Sequence, residues 1–164
     1  HLREFIGRKA HVLLSAPEII AEHVKDADLV IGAVLVTGAK APHVVTEEMV
    51  KTMQPGSVIV DVSIDQGGCI ETSKPTTHSN PVFVKHGVTH YCVTNMPGAY
   101  PRTSTIALTN ATLPYFLKLA DKGINALKED KGFAKGLNTY NGFIAYKPVA
   151  EALGIMGKYK EFGG

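Results

Sequence analysis

The sequence predicts an α/β fold: a parallel, doubly wound sheet, incomplete, followed by a C-terminal helical segment. Three observations carry this expectation. β-rich runs alternate with helical segments through the first half of the chain, and those runs are apolar without alternation, as in strands covered on both faces. From Thr103 onward the character changes to helix, with no further run able to join a sheet. The 164 residues are 45% hydrophobic and 20% charged. These are values of a globular protein with a real core, and they exclude a disordered tail, a collagen-like repeat or a disulfide-rich miniprotein.

Each element has a local reason. Lys9–Leu14 reads as a strand. Ser15-Ala-Pro-Glu18 fits a capping box, with Ser15 as the cap and Pro17 early in the first turn of a helix over Pro17–Lys25. That helix should bury Ile19, Ile20 and Val24. Asp28–Ala33 is a second strand. Thr46 caps a short helix carrying Met49, Val50 and Met53, which Gln54-Pro55-Gly56 ends. Ser57–Val62 and Val88–Thr94 are the third and fourth strands. Thr103–Lys122 is a long helix with Leu113, Phe116 or Leu117, and Ala120 on one stripe, and Pro114 is expected to kink it. Two further helical stretches, near Ile124–Asp130 and Pro148–Leu153, flank a turn at Asn141-Gly142. A helical annex without a hydrophobic partner suggests packing on a region absent from this chain. The start at His1 rather than Met likewise suggests a chain that is processed, tagged or cut from something longer.

Charge and cysteine usage narrow the setting. Lys and Arg number 17 against 15 Asp and Glu, a net +2, with no basic run, so neither nucleic acid nor an anionic membrane is expected as a partner. No apolar run approaches the ~20 residues of a membrane span, and no signal-peptide pattern opens the chain. Cys69 and Cys92 form neither a C-x-x-C pair nor a disulfide framework. They read as small core residues in a reducing, cytoplasmic protein. His1, His11, His23, His43, His78, His86 and His90 include no H-E-x-x-H, and no metal is expected. Neither G-x-S-x-G nor G-x-G-x-x-G occurs.

In open parallel sheets, ligands bind beyond the carboxyl ends of the strands. This rule selects Leu14-Ser15, Ala33-Val34-Leu35, Ser63–Gly68 and Asn95–Gly98. Asp65 follows a buried strand and precedes Gly67-Gly68. It can orient a ribose hydroxyl, pair with a cation or exchange a proton with a reacting group, or else it forms an Asx-turn before the glycines. Asn95-Met96-Pro97-Gly98 offers polar groups to a planar ring, or is a turn into the next helix. Ser15 is a helix cap that is also compatible with a phosphate or adenosine contact. Lys74 and Arg102 are the cations nearest these segments, and each also reads as a solvated surface charge.

The residues Ala27–Leu35, Ala39-Lys40-Ala41-Pro42, Val45–Val50, Pro55–Gly68, Asn95–Ala99, Pro101–Thr105 and Ala107–Asn110 resemble the C-terminal half of the NAD-dependent alanine dehydrogenase family. Leu137–Tyr140 and Val149–Gly154 extend the similarity into the tail. The transhydrogenase α subunit is a relative that shares the Pro-Gly-Ser-Val-Ile-Val-Asp run. It typically reads Gln-Asn-Gly-Gly where this chain has Asp65-Gln66-Gly67-Gly68, and the acid favours the dehydrogenase.

The resemblance implies a Rossmann-type fold, with residues 1–102 as the C-terminal half of an NAD-binding domain. Residues 103–164 would be the connecting helix and helical part of a substrate domain. It also implies NAD as cofactor, L-alanine, pyruvate and ammonia as substrates, and a homohexamer. Ser15, Val34 and Leu35 would flank the adenosine end. Val62, Ser63, Ile64 and Asp65 would line the nicotinamide-ribose end, with Val93, Thr94, Asn95 and Met96 closing over the ring. Lys74 stands where relatives often carry Arg, which keeps the charge but loses the bidentate fork. Asp65 would be the catalytic acid/base or water-orienting carboxylate. Its histidine partner, the substrate-holding Arg and Lys, the glycine-rich turn and the ribose-binding acid are all expected outside this chain, which leaves a catalytically inert fragment as the alternative.

Overall fold

The computed structural model describes Glu4, residues 10–37 and residues 40–163. His1, Lys9 at the start of the first predicted strand, and Ala39 lie outside the described residues. The chain divides into two compact units, His1–Leu35 with Ala41–Thr94, and Val36–Lys40 with Asn95–Gly164.

The first unit is an α/β sheet unit. Helix α1 (Pro17–Lys25) leads to β1 (Leu29–Gly32), α2 (Glu47–Thr52) to β2 (Val58–Asp61), and a hairpin joins β3 (Val82–Lys85) to β4 (Val88–Tyr91). The strand order is β1-β2-β4-β3. β1, β2 and β4 are parallel, with Gly32 opposite Asp61 and Val60 opposite Tyr91, while β3 runs antiparallel to β4. Val24 of α1 and Val50 of α2 share one core with Ile59, Cys69, Ile70 and Val88. Apolar periodicity on two short helices thus covers one face of the sheet. Along β1 and β2 burial alternates: Gly32, Ile59 and Asp61 are buried, whereas Leu29 and Ile31 are exposed.

Three expectations are corrected here. Residues 10–16 form no strand. Ser15 does not cap α1: Ala16 is the N-cap, with no side-chain bond, and Ile20 N–H donates to its carbonyl at 2.9 Å. Pro17 takes the first helical position, which its fixed φ favours, and so moves the cap one residue past the hydroxyl. The predicted fourth strand stops at Tyr91 and has an antiparallel partner that the sequence reading omitted. That hairpin turns on His86 (φ 55°) and Gly87 (φ 78°), two left-handed residues in succession, as tight hairpins require. Thr46 does cap α2, accepting from Met49 N–H at 3.3 Å.

The second unit holds a 3₁₀ turn (Met96–Ala99), α3 (Pro101–Lys122), α4 (Asn125–Glu129), α5 (Lys131–Ala134), a small hairpin of β5 (Thr139–Tyr140) and β6 (Phe143–Ile144), and α6 (Lys147–Ala152). Asn141 and Gly142 both take positive φ in the predicted turn. Ala126, Leu127, Ile144 and Ala150 are buried. α3 runs through Pro114 and contains no buried residue.

Candidate functional site

The carboxyl ends of β1 and β2 place two loops side by side. After β2 the chain makes a 3₁₀ turn, Val62–Gln66, capped by Gly67 at φ 95°. Gly67 N–H donates to Ile64 C=O at 3.0 Å and Gly68 N–H to Ser63 C=O at 3.0 Å, closing an arch. Asp65 stands exposed on that arch.

The arch is held by a residue the sequence reading passed over. Asp61, the last residue of β2, is fully buried. Its Oδ1 accepts Ser63 N–H at 3.0 Å, and its Oδ2 accepts Cys69 N–H at 2.9 Å and Ile70 N–H at 3.1 Å. The Cys69 thiol also lies 3.6 Å from Oδ1. Hydrogen bonds to a charged acceptor contribute roughly 1.5–3 kcal/mol each, so three of them offset several kcal/mol of desolvation. Asp61 makes an Asx-turn of its own, its Oδ1 accepting the N–H two residues on. The signal for it was present, since an acid is anomalous at the end of an otherwise apolar strand.

The glycines serve this carboxylate. A Cβ on Gly68 (φ 82°) would come within 2.9 Å of Asp61 Oδ2. Gly32, opposite Asp61 in the sheet, admits the next contact: a Cβ there would sit 2.5 Å from Cys69 Sγ. Burial raises the Cys69 thiol pKa, and the neighbouring Asp61 adds to the rise. Cys69 is therefore a packed thiol rather than a nucleophile.

Of the residues predicted to bind cofactor, the structure brings one group together. Ser63 is buried, and its hydroxyl donates to Val34 C=O at 2.8 Å, stapling the β2 loop to the β1 loop. Leu35 (73% exposed) and Val62 (49% exposed) offer apolar surface on these two loops. Ile64 and Val93 are buried side chains, so neither offers side-chain surface to a ligand. Thr94 N–H donates to Thr76 C=O at 3.3 Å. Ser15 is exposed just before α1, beside an apolar groove of about 410 Å³ that also includes Leu13, Leu14 and Ile20. The Lys74 ammonium lies 4.5 Å from the centroid of Phe83 on edge strand β3.

Asn95 and Met96 open the second unit. Asn95 takes a left-handed conformation (φ 53°) and accepts Gly98 N–H at 2.8 Å. Asn95, Pro97 and Gly98 line a cleft of about 600 Å³ with Ser104, Thr105 and Leu108 of α3.

The acid-bearing arch lies at the carboxyl edge of the parallel strands, where open α/β sheets meet their ligands. The profile of the family described as alanine dehydrogenase/PNT, C-terminal domain, matches residues 1–147. This chain belongs to that family. It is 57% identical over 156 residues to alanine dehydrogenase of Lysinibacillus sphaericus, covering 94% of this chain and 42% of that protein. To alanine dehydrogenase of Halomonas elongata it is 58% identical over 144 residues, covering 87% of this chain and 39% of that one. A solved L-alanine dehydrogenase superposes with a TM-score of 0.79 at 47% identity, over 93% of this chain and 42% of that one. Transhydrogenase from Sinorhizobium meliloti gives 0.57 at 32% identity, over 69% of this chain and 32% of that one. The chain spans about two fifths of the length of the alanine dehydrogenases it matches.

Proposed function

We propose that these residues form the NAD-binding part of an alanine dehydrogenase, which converts L-alanine and water reversibly to pyruvate and ammonia. The observation that carries this reading is Asp65, exposed on an arch that Asp61 grips at both feet. It does so in a chain 57% identical to a curated alanine dehydrogenase. The residues present fit NAD. Leu35 and Val62 supply exposed apolar surface for a ring, and Asp65 supplies a carboxylate on the same loops. When bound, NAD supplies the acceptor for the hydride leaving the alanine α-carbon.

The chain's own part is the proton chemistry that follows. Water adds to the imine carbon, Asp65 orients that water or takes its proton, and the amine leaves as ammonia once protonated. A histidine on the substrate domain would share this proton transfer. Ser63 and Val34 hold the two loops at a fixed spacing, and the family resemblance implies that Val93 (through its backbone), Thr94, Asn95 and Met96 close over the ring. Lys74 is the least supported contact, because its ammonium faces Phe83. In the assembled enzyme, residues 1–102 complete the NAD-binding domain, and residues 103–164 supply the connecting helix and part of the substrate domain. Among the described residues no helix is long and apolar enough to cross a membrane. A cytoplasmic homohexamer is the expected setting.

In the full-length enzyme, Asp65→Asn should lower alanine-dependent NADH formation at least ~100-fold, the scale of a positioned acid–base group, with little change in NADH affinity by fluorescence titration. Near-normal turnover would refute the role. Reduction of an NAD analogue by NADH without alanine would move the protein to the transhydrogenase side of its family.

A further inference from the structure

We infer that Asp61 is the positioning residue of this site: its buried carboxylate sets the place of Asp65 by binding the chain on both sides of it. The inference rests on the function proposed above and adds a residue to it.

Three facts point to positioning rather than general packing. The donors flank Asp65 in sequence: Ser63 precedes it, and Cys69 and Ile70 follow it. Two different carboxylate oxygens are used, one for each foot of the arch, so the group fixes the span between the feet. Within that span the turn is closed on itself, Gly67 N–H to Ile64 C=O and Gly68 N–H to Ser63 C=O, and Gln66 C=O accepts Ala41 N–H at 3.1 Å. The arch is thus a short closed turn whose two feet Asp61 fixes on the sheet, with Gln66 held to Ala41 between them.

No other side chain of this size can replace the grip. Asn in the same place keeps one acceptor oxygen and turns an NH₂ toward backbone N–H groups. With the oxygen toward Ser63, Cys69 and Ile70 lose their acceptor. With the oxygen toward Cys69 and Ile70, Ser63 loses its own. Either way one foot loses its bond to the carboxylate and keeps only its remaining ties, so Asp65 shifts relative to the crevice. The Ser63 hydroxyl bond to Val34 is independent of the carboxylate, so the cofactor loops stay joined. The defect should therefore fall on kcat more than on cofactor binding.

The test uses Asp61→Asn in the full-length enzyme, with Gly68→Ala as a second variant. Gly68→Ala keeps the charge but drives a Cβ to within 2.9 Å of Asp61 Oδ2. Expected for both is a fall in kcat of at least ~10-fold with KM for NAD changed less than ~3-fold. In Asp61→Asn, hydrogen exchange should also speed at least ~10-fold at Ser63 or at Cys69 and Ile70, while β4 amides keep their protection. Unchanged kcat alongside the lost protection would overturn the inference and make Asp61 a structural group only. Uniform acceleration of all amides in Asp61→Asn, with Gly68→Ala at full activity, would overturn it as well. If the unsubstituted enzyme fails to oxidise alanine, the proposed reaction falls, and the exchange pattern alone decides whether Asp61 grips the arch.

Discussion

Burial separates the two carboxylates of the β2 loop. Asp65 could be singled out from sequence because it sits between an apolar strand and a glycine pair, where ligands are met. Asp61 reads in sequence as the tail of the strand, because nothing local shows that three backbone N–H groups return to it, two of them from Cys69 and Ile70. Long-range hydrogen bonds to one buried oxygen leave no periodic trace in a sequence. Ser63 is a similar case. The family resemblance implies a cofactor contact for Ser63, and in the structure its hydroxyl is committed to Val34 C=O. Ser63→Ala should therefore destabilise the first unit by about 1 kcal/mol, the net worth of one such bond, and raise KM for NAD several-fold with kcat nearly kept. Urea denaturation and steady-state kinetics read the two effects. A kcat loss matching that of Asp65→Asn would instead put Ser63 in the chemistry.

Elements were legible where local chemistry decided them and not where a neighbour did. Thr46 capped α2 as expected, whereas Ser15 lost α1 to the preference of Pro17 for the first position. β3 was missed because it is four residues long, follows Pro81, and turns on His86-Gly87 rather than a more common hairpin pair. Its pairing brings His90 of β4 into a buried arrangement. Nδ1–H of His90 donates to Val88 C=O at 3.0 Å, and Nε2 accepts from the Thr72 hydroxyl at 2.7 Å. Phe83 stacks on its ring at 4.8 Å. Burial lowers the His90 pKa below 6.5, with Lys85 and His86 adding to the effect while the Val88 carbonyl and Asp61 oppose it.

The sign of the consequence follows. Above 6.5 His90 is neutral in both folded and unfolded chain, and its contribution is complete. As pH falls through 6.5 the unfolded chain takes a proton that the folded one refuses, so stability drops until the lowered folded value is reached. Urea midpoints taken from about pH 7.5 to about 5.5 should fall more steeply for the native chain than for His90→Gln. Parallel profiles would show that His90 is not the group responsible.

At the scale of the whole molecule, the sequence and the structure disagree about the second face of the sheet, and the disagreement is informative. β1 and the first three residues of β2 are apolar without alternation, which predicts cover on both sides. α1 and α2 cover one side. On the other, register aligns Leu29 with Val58, Ile31 with Val60, and Tyr91 with both Val60 and Val82. There Ile31 is 61% exposed and Val84 68% exposed. Contiguous apolar surface of this kind on a sheet whose β1 ends the strand order is an association hazard.

In the isolated 164-residue chain, Ile31→Ser with Val84→Thr should therefore reduce binding of an apolar fluorescent dye and reduce self-association by light scattering. It should leave the urea midpoint almost in place, because exposed positions usually shift stability by no more than about 0.5 kcal/mol. If both side chains were buried, each would give up roughly 1.5–3 kcal/mol of apolar burial, and the double variant would be grossly destabilised. The two outcomes differ by several kcal/mol, so a single denaturation series distinguishes an open face from a covered one.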